Sequence, residues 1–276
     1  MSAAQVRPTA ADLEPLVDEL SNFMDALERR DRESVVATVD RLCRSDVEVL
    51  SAISGHLEGK RTGREAVKAF FIEILDVWEQ LSYANRRFEI VGDDAIVLRF
   101  TMTSQGRGSG IGLQLEGGAI WRIRGGLVRS AATFVDEEEL ARAASVIGVE
   151  TAFRLLAEGG PEALLSHYDY LFHEDFEWRP ALIGGLDGRT YRGRAEFEQY
   201  WRDFTDAFEE VDLGATRVEC LGPERVLAWG NLHVRGAGGG VPIDQEAGYV
   251  LDVREFRMIA GRSFFSRAEA EEFARA

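Results

Sequence analysis

At 276 residues, with 45% hydrophobic side chains, the chain is long enough for two ordinary domains and too apolar for a disordered tail. Its formal net charge of −16 repels phosphate backbones and anionic lipid heads, and no run of Lys and Arg reverses that sign locally, which argues against nucleic-acid and membrane-surface roles. No stretch approaches the roughly eighteen apolar residues of a membrane span, the opening MSAAQVRPTAADLEP has no basic region leading into an apolar one, and Cys43 and Cys220 lack metal or redox spacing; the expectation is a cytoplasmic protein with reduced thiols.

The first predicted helix carries Leu16, Leu20, Phe23, Met24 and Leu27 at helical spacing. A second helix is expected over 32–42 and a short strand over 47–50, followed by a Gly-rich loop that holds His56. A third helix starts near Gly63 and carries Val67, Phe70, Phe71, Ile74, Leu75 and Trp78. The hydrophobic period then changes to that of strands, which are expected over 88–91, 95–104, 112–124 and 127–134 and joined by Gly-rich turns that suit antiparallel hairpins. Residues 136–160 lack Pro and are almost free of Gly, so a helix is expected to lead directly into a second copy of the same series.

That second copy is the strongest signal in the chain. Gly63-Arg64 recurs as Gly193-Arg194, 130 residues on, and the same offset pairs Arg87 with Arg217, Gly92 with Gly222, Gly118 with Gly248, Arg124 with Arg254 and Phe134 with Phe264. DVEV at Asp46 meets DFEW at Asp175 one residue out of step. The expected organisation is two tandem domains, 13–144 and 145–276, each α+β with a curved antiparallel sheet packed on three helices.

The order of DFEW, YRGRAEFEQYW, the GAGGG turn and the closing RSFFSRAEAEEF, with its counterparts DVEV, RTGREAVKAFF and GRGSG, resembles the SnoaL-like branch of the NTF2-like superfamily. The resemblance implies two tandem cone-shaped α+β barrels, each with a cavity between sheet and helices. The superfamily holds isomerases, dehydratases, epoxide hydrolases and polyketide cyclases beside pure binding modules, so fold alone leaves enzyme against binder open. Positions matching the isomerase-type general base fall on Ser51 and Pro180, the opening-helix tyrosine on Phe23 and Ala152, and the inward acid on Ala119 and Tyr249. Neither copy keeps that catalytic set.

Alternation along the long strand separates Val226, Ala228, Gly230, Leu232 and Val234, expected inside, from Leu227, Trp229, Asn231, His233 and Arg235, expected outside. The first copy splits alike, with Ile96, Leu98, Phe100 and Met102 inside. The mixed outer set suggests an intrachain pairing of the two sheets, a pseudo-dimer. The second copy has the richer aromatic set and the smaller inward residues, Gly230, Gly261 and Ser263, so its cavity is expected to be the open one.

The resulting expectation is a small apolar-molecule binding protein whose ligand meets Trp178, Tyr191, Trp201, Gly230, Tyr249 and Phe265, with Tyr249 as polar anchor. The alternatives are a cyclase, hydrolase or dehydratase using Tyr249, His167, Asp169 and Arg192, or a structural, partner-binding pseudo-dimer. No metal and no cofactor are expected, since the four histidines form no ligand pattern and the Gly-rich turns lack the context of a phosphate loop.

Overall fold

The computed structural model describes residues 10–53, 57–108, 110–183, 188–212, 217–240 and 242–275. The chain divides into two units, one running through Leu140 and the other from Ala141.

In unit 1, helix α1 (Glu14–Glu28) has Pro15 in its first turn, where a missing N–H costs nothing, and buries Leu20, Phe23, Met24 and Leu27. Helix α2 (Arg32–Leu42) is capped by Asp31, whose carboxylate accepts the Ser34 backbone N–H at 3.1 Å and the Ser34 hydroxyl at 2.6 Å. These bonds hold the Asp31 carboxyl below the usual carboxylate range. Strand β1 (Cys43–Ser51) follows and pairs with β2 (Gly59–Thr62), a strand too short for its residue pattern to reveal. Gly63 then turns the chain at φ 89°, a conformation that favours glycine, into α3 (Arg64–Val77).

Strands β3 (Trp78–Val91), β4 (Ala95–Gly106), β5 (Gly112–Arg124) and β6 (Leu127–Phe134) form a meander, and the sheet order is β2-β1-β6-β5-β4-β3. Two sequence expectations change here. Trp78 does not belong to the third helix: it is the extended residue that ends α3, and from it the chain pairs with β4 beginning at Gly106. The strand expected over 88–91 therefore begins ten residues earlier, with Leu81 and Tyr83 buried and their neighbours exposed. A register shift between Ala84 and Arg87, with Asn85 at φ 55°, interrupts the alternation that would have marked it. The sheet is also not wholly antiparallel, because β1 runs parallel to β6. The connection from β1 passes through α3 and four strands before returning, which is long enough for a parallel neighbour.

Unit 2 repeats this order. Helix α4 (Glu137–Ser166) breaks at Gly160, φ 67°, and Pro161 opens its second stretch. The series continues with α5 (Tyr168–Leu171), β7 (Phe172–Arg179), β8 (Tyr191–Arg192), α6 (Gly193–Ala207), β9 (Phe208–Asp212), β10 (Arg217–Gly222), β11 (Arg225–Gly236), β12 (Pro242–Arg254), β13 (Arg257–Phe264) and α7 (Arg267–Arg275). The sheet order is β10-β11-β12-β13-β7-β8, with β9 also on β11 and β7 parallel to β13. Strands β4, β5 and β6 recur as β11, β12 and β13 at one spacing, Ala95 and Arg225 opening corresponding strands 130 residues apart. Each unit is thus α+β, a curled sheet against helices.

The inward faces carry the cores. Ile96, Leu98 and Met102 are buried in unit 1, and Val226, Ala228, Leu232 and Val234 in unit 2. The outer face of the unit 2 sheet is covered by α7, under which Leu227, Val250 and Ala270 cluster with Trp229 and Phe264. The Arg267 guanidinium lies 4.0 Å from the Trp229 ring centroid. His233 pairs with Asp244 and Glu210, which push its pKa up, and Arg235 pairs with Glu210 at 3.2 Å. Trp229, His233 and Arg235, which looked in the sequence like a face for another sheet, therefore have partners within unit 2. Among the described residues no helix is long and apolar enough to cross a membrane.

Candidate functional site

Unit 2 encloses a cavity of about 80 Å³ between the inner sheet face and the helices. Its walls come from spaced positions on single elements. Phe197, Tyr200, Trp201 and Phe204 fall on one face of α6, while Ala247, Tyr249 and Leu251 alternate inward along β12. Unit 1 holds a hollow of only about 30 Å³ in the corresponding place, bordered by Phe23, Phe71 and Trp121. The residue that matches Trp121 in unit 2 is Leu251, and the one that matches Phe100 is Gly230.

Of the residues singled out in the sequence, Trp178, Trp201, Tyr249 and Phe265 line the cavity, Phe265 at 44% exposure marking its rim. Tyr191 and Gly230 do not. Tyr191 is buried behind Tyr200, ring centroids 5.2 Å apart, with the Arg189 guanidinium 4.4 Å from its ring. Gly230 sits on β11 opposite Ala247 and is not part of the wall. Gly261 leaves no free space either. A Cβ there would lie 2.8 Å from the Trp178 ring, which already fills the gap.

The proposed catalytic partners of Tyr249 stand off the wall. The His167 ring Nδ1 lies 2.9 Å from Ser166 Oγ and 3.0 Å from the Ala163 carbonyl, Asp169 pairs with Arg194 at 3.3 Å, and Arg192 pairs with Glu177 at 2.9 Å. His56 lies outside the described residues. Phe153, Phe197 and Ala247 join the wall without having been singled out for it. Ala247 could have been found by counting two residues back from Tyr249, and Phe197 by counting one helical turn from Trp201.

Among the described residues no Asp, Glu, His, Lys, Arg or Cys lines the cavity. Its ionisable groups are phenols. Burial pushes Tyr249 up to about 12, and its ring packs on Phe153 at 4.8 Å. Burial likewise raises Tyr200, with smaller upward pushes from the neighbouring Tyr249 and Tyr191. The Trp178 N–H leans toward the Tyr200 hydroxyl and partly offsets that rise, without reaching hydrogen-bond geometry. Ser263 Oγ accepts the Ala181 backbone N–H at 2.7 Å. Such a wall can donate hydrogen bonds to a ligand oxygen and bury apolar surface, and its described residues include no base that ionises near neutrality. Among the described residues no group of three or more His, Cys, Asp or Glu converges to hold a metal ion.

Residues 20–131 match the family model of the SnoaL-like domain. Similar solved structures include an NTF2-like protein from Burkholderia xenovorans, 20% identical over 46% of this chain and 93% of that one, with a TM-score of 0.37. An NTF2-like protein from Burkholderia pseudomallei is 22% identical over 46% and 94% of the two chains, TM-score 0.38. One from Anabaena variabilis is 14% identical over 49% and 96%, TM-score 0.40. No curated protein matches the sequence. The SnoaL-like match covers most of the helices and of the sheet of unit 1.

Proposed function

We propose that this protein binds a small apolar molecule in the cavity of unit 2, with the Tyr249 hydroxyl donating a hydrogen bond to a ligand oxygen, while unit 1 is a filled copy of the same architecture. The observation that carries the reading is a hollow walled by aromatic and aliphatic side chains whose ionisable groups are phenols held protonated. Its size sets the scale of the ligand. A hydrocarbon-lined cavity of roughly 150 Å³ takes up benzene, so a hollow of about 80 Å³ holds only part of a single ring, and such a ligand must extend through the rim at Phe265. The catalytic alternative draws on His167, Asp169 and Arg192, which do not line the cavity and have polar contacts of their own, and it has correspondingly less support.

The test is calorimetric titration of the full chain with acetophenone and with its hydrocarbon isostere α-methylstyrene. One site per chain is expected for each. Tyr249→Phe should weaken acetophenone by about 1 kcal/mol, the net value of one neutral hydrogen bond, and leave α-methylstyrene unchanged. Failure of both compounds to bind, or binding that survives when the cavity is filled, overturns the reading.

A further inference from the structure

The helix that precedes the long strands is finished differently in the two units. In unit 1 the Arg30 side chain, from the turn between α1 and α2, donates guanidinium N–H groups to the Leu75 and Trp78 carbonyl oxygens, where α3 ends and β3 begins. Such carbonyls are the negative end of a helix, and a cation there meets groups that the helix itself leaves unpaired. The matching residues of unit 2, 130 positions on, are Thr205 and Phe208 at the end of α6. Arg32 and Pro161 open corresponding helical stretches 129 positions apart, and at that spacing Arg30 falls on Gly159, beside Gly160. Neither glycine has a side chain to send back, and among the described residues no side chain donates to the Thr205 or Phe208 carbonyl oxygen.

Unit 2 has a hollow of about 120 Å³ there, bordered by Ala157 and Gly160 on α4, Thr205 on α6 and Asp212 on β9. A Cβ built on Gly160 would meet nothing within 4 Å. Trp201 and Phe204, which also border the apolar cavity, give the hollow aromatic walls, the kind of surface on which a guanidinium stacks. Asp212 adds a carboxylate with no ion-pair partner among the described residues.

We propose that this hollow binds a small alkylguanidine, which brings from solution the group that Arg30 supplies from within unit 1. Its N–H donors meet the Thr205 and Phe208 carbonyl oxygens, its charge is balanced by Asp212 and by the negative end of α6, and its plane lies against the aromatic wall. A neutral hydrocarbon leaves those carbonyls unmet, and an anion is repelled by them and by a chain of net charge −16. The site is separate from the apolar cavity and does not depend on a ligand there.

The experiment titrates the full chain with propylguanidine and with its neutral isostere propylurea, followed by ligand-detected NMR. One propylguanidine site per chain is expected, tighter than propylurea by roughly tenfold or more, the weight of hydrogen bonds from a charged donor. Ala157→Arg, at an exposed helical position on the border of the hollow, places a guanidinium there from within the chain and should abolish the binding. Asp212→Asn should weaken propylguanidine and leave propylurea unchanged. In unit 1 the reciprocal variant Arg30→Gly, which suits the φ of 59° at that position, should gain a second site, and millimolar propylguanidine should restore the melting temperature it loses. The wild-type and Ala157→Arg titrations decide the matter without that variant. N-acetylarginine methylamide, standing for an arginine of a partner protein, should bind no more tightly than propylguanidine. No saturable binding of propylguanidine, equal binding of propylurea, or binding undiminished in Ala157→Arg overturns the site. A tenfold preference for the arginine derivative overturns the small-molecule assignment in favour of a partner's arginine.

Discussion

Replacing Ala247 with Leu puts three more carbons into the unit 2 cavity from a residue on its wall. An unfilled void weakens a core by about 24 cal/mol per Å³, so a hollow of about 80 Å³ represents at most about 2 kcal/mol that filling can recover. Crowding takes back about 1–3 kcal/mol when side chains must leave their preferred rotamers. The two effects nearly cancel, and Ala247→Leu should leave the melting temperature within about 4 °C of wild type, at about 2–4 °C per kcal/mol. The matched perturbation in unit 1 is Ala131→Leu, which enters a hollow of about 30 Å³ worth at most about 0.7 kcal/mol. There crowding dominates and the variant should lose stability outright. Calorimetric unfolding and ligand titration on both variants make the assay. Ala247→Leu should keep its fold and lose affinity for α-methylstyrene by tenfold or more, whereas Ala131→Leu should lose stability and keep the affinity. Equal destabilisation by both would show that the unit 2 hollow offers no usable room, and undiminished binding to Ala247→Leu would place the ligand elsewhere.

Gly248→Val tests the cover of the outer sheet face. Its Cβ would meet Ala270 Cβ at 2.6 Å and the Ser266 carbonyl at 2.7 Å, so α7 must shift, at about 1–3 kcal/mol measured by chemical denaturation. Ala270→Gly in the same chain should recover part of the loss, and no recovery would show that the helix does not seat there. Alkaline stability follows from the buried phenols. Above pH 10 an unfolded tyrosine loses its proton while native Tyr249 keeps it to about 12, and Tyr83 and Tyr200 are shifted in the same direction. The native state then binds more protons than the unfolded one, so stability that is complete below pH 10 falls as pH rises, by about 1.4 kcal/mol per pH unit for each such phenol. Urea midpoints from pH 9 to 12 should decline less steeply in Tyr249→Phe, and tyrosinate absorbance that titrates at the ordinary phenol value would refute the shift.

Periodicity revealed what periodicity encodes. Helix α2 occupies the residues 32–42 expected for it, β5 and β6 run over the spans that alternation marks, and the inner face of β11 is the small apolar one. Where a strand is half polar, as from Trp78 to Arg87, or only two residues long, as at Tyr191, local pattern carries too little information to reveal it. The site was legible in its aromatic composition but not in its depth order. Tyr191 and Tyr200 read alike in sequence, and only packing puts one behind the other. His167, Asp169 and Arg192 looked available for chemistry because their neighbours in space are not all their neighbours in the chain. Glu177 reaches Arg192 across β7 and β8, and Arg194 reaches Asp169 from the start of α6.

The parallel pairing of β7 with β13 sets Trp178 beside Gly261, and in unit 1 the same register sets Val49 beside Ala131. One couple joins the largest side chain to none, the other two of modest bulk. A methyl group at Gly261 would sit 2.8 Å from the indole and drive it off its seat toward the hollow, so two adjoining strand positions act as a volume dial for the floor. Exchanging bulk between them resizes the chamber without altering a helix, a loop or the register of the sheet.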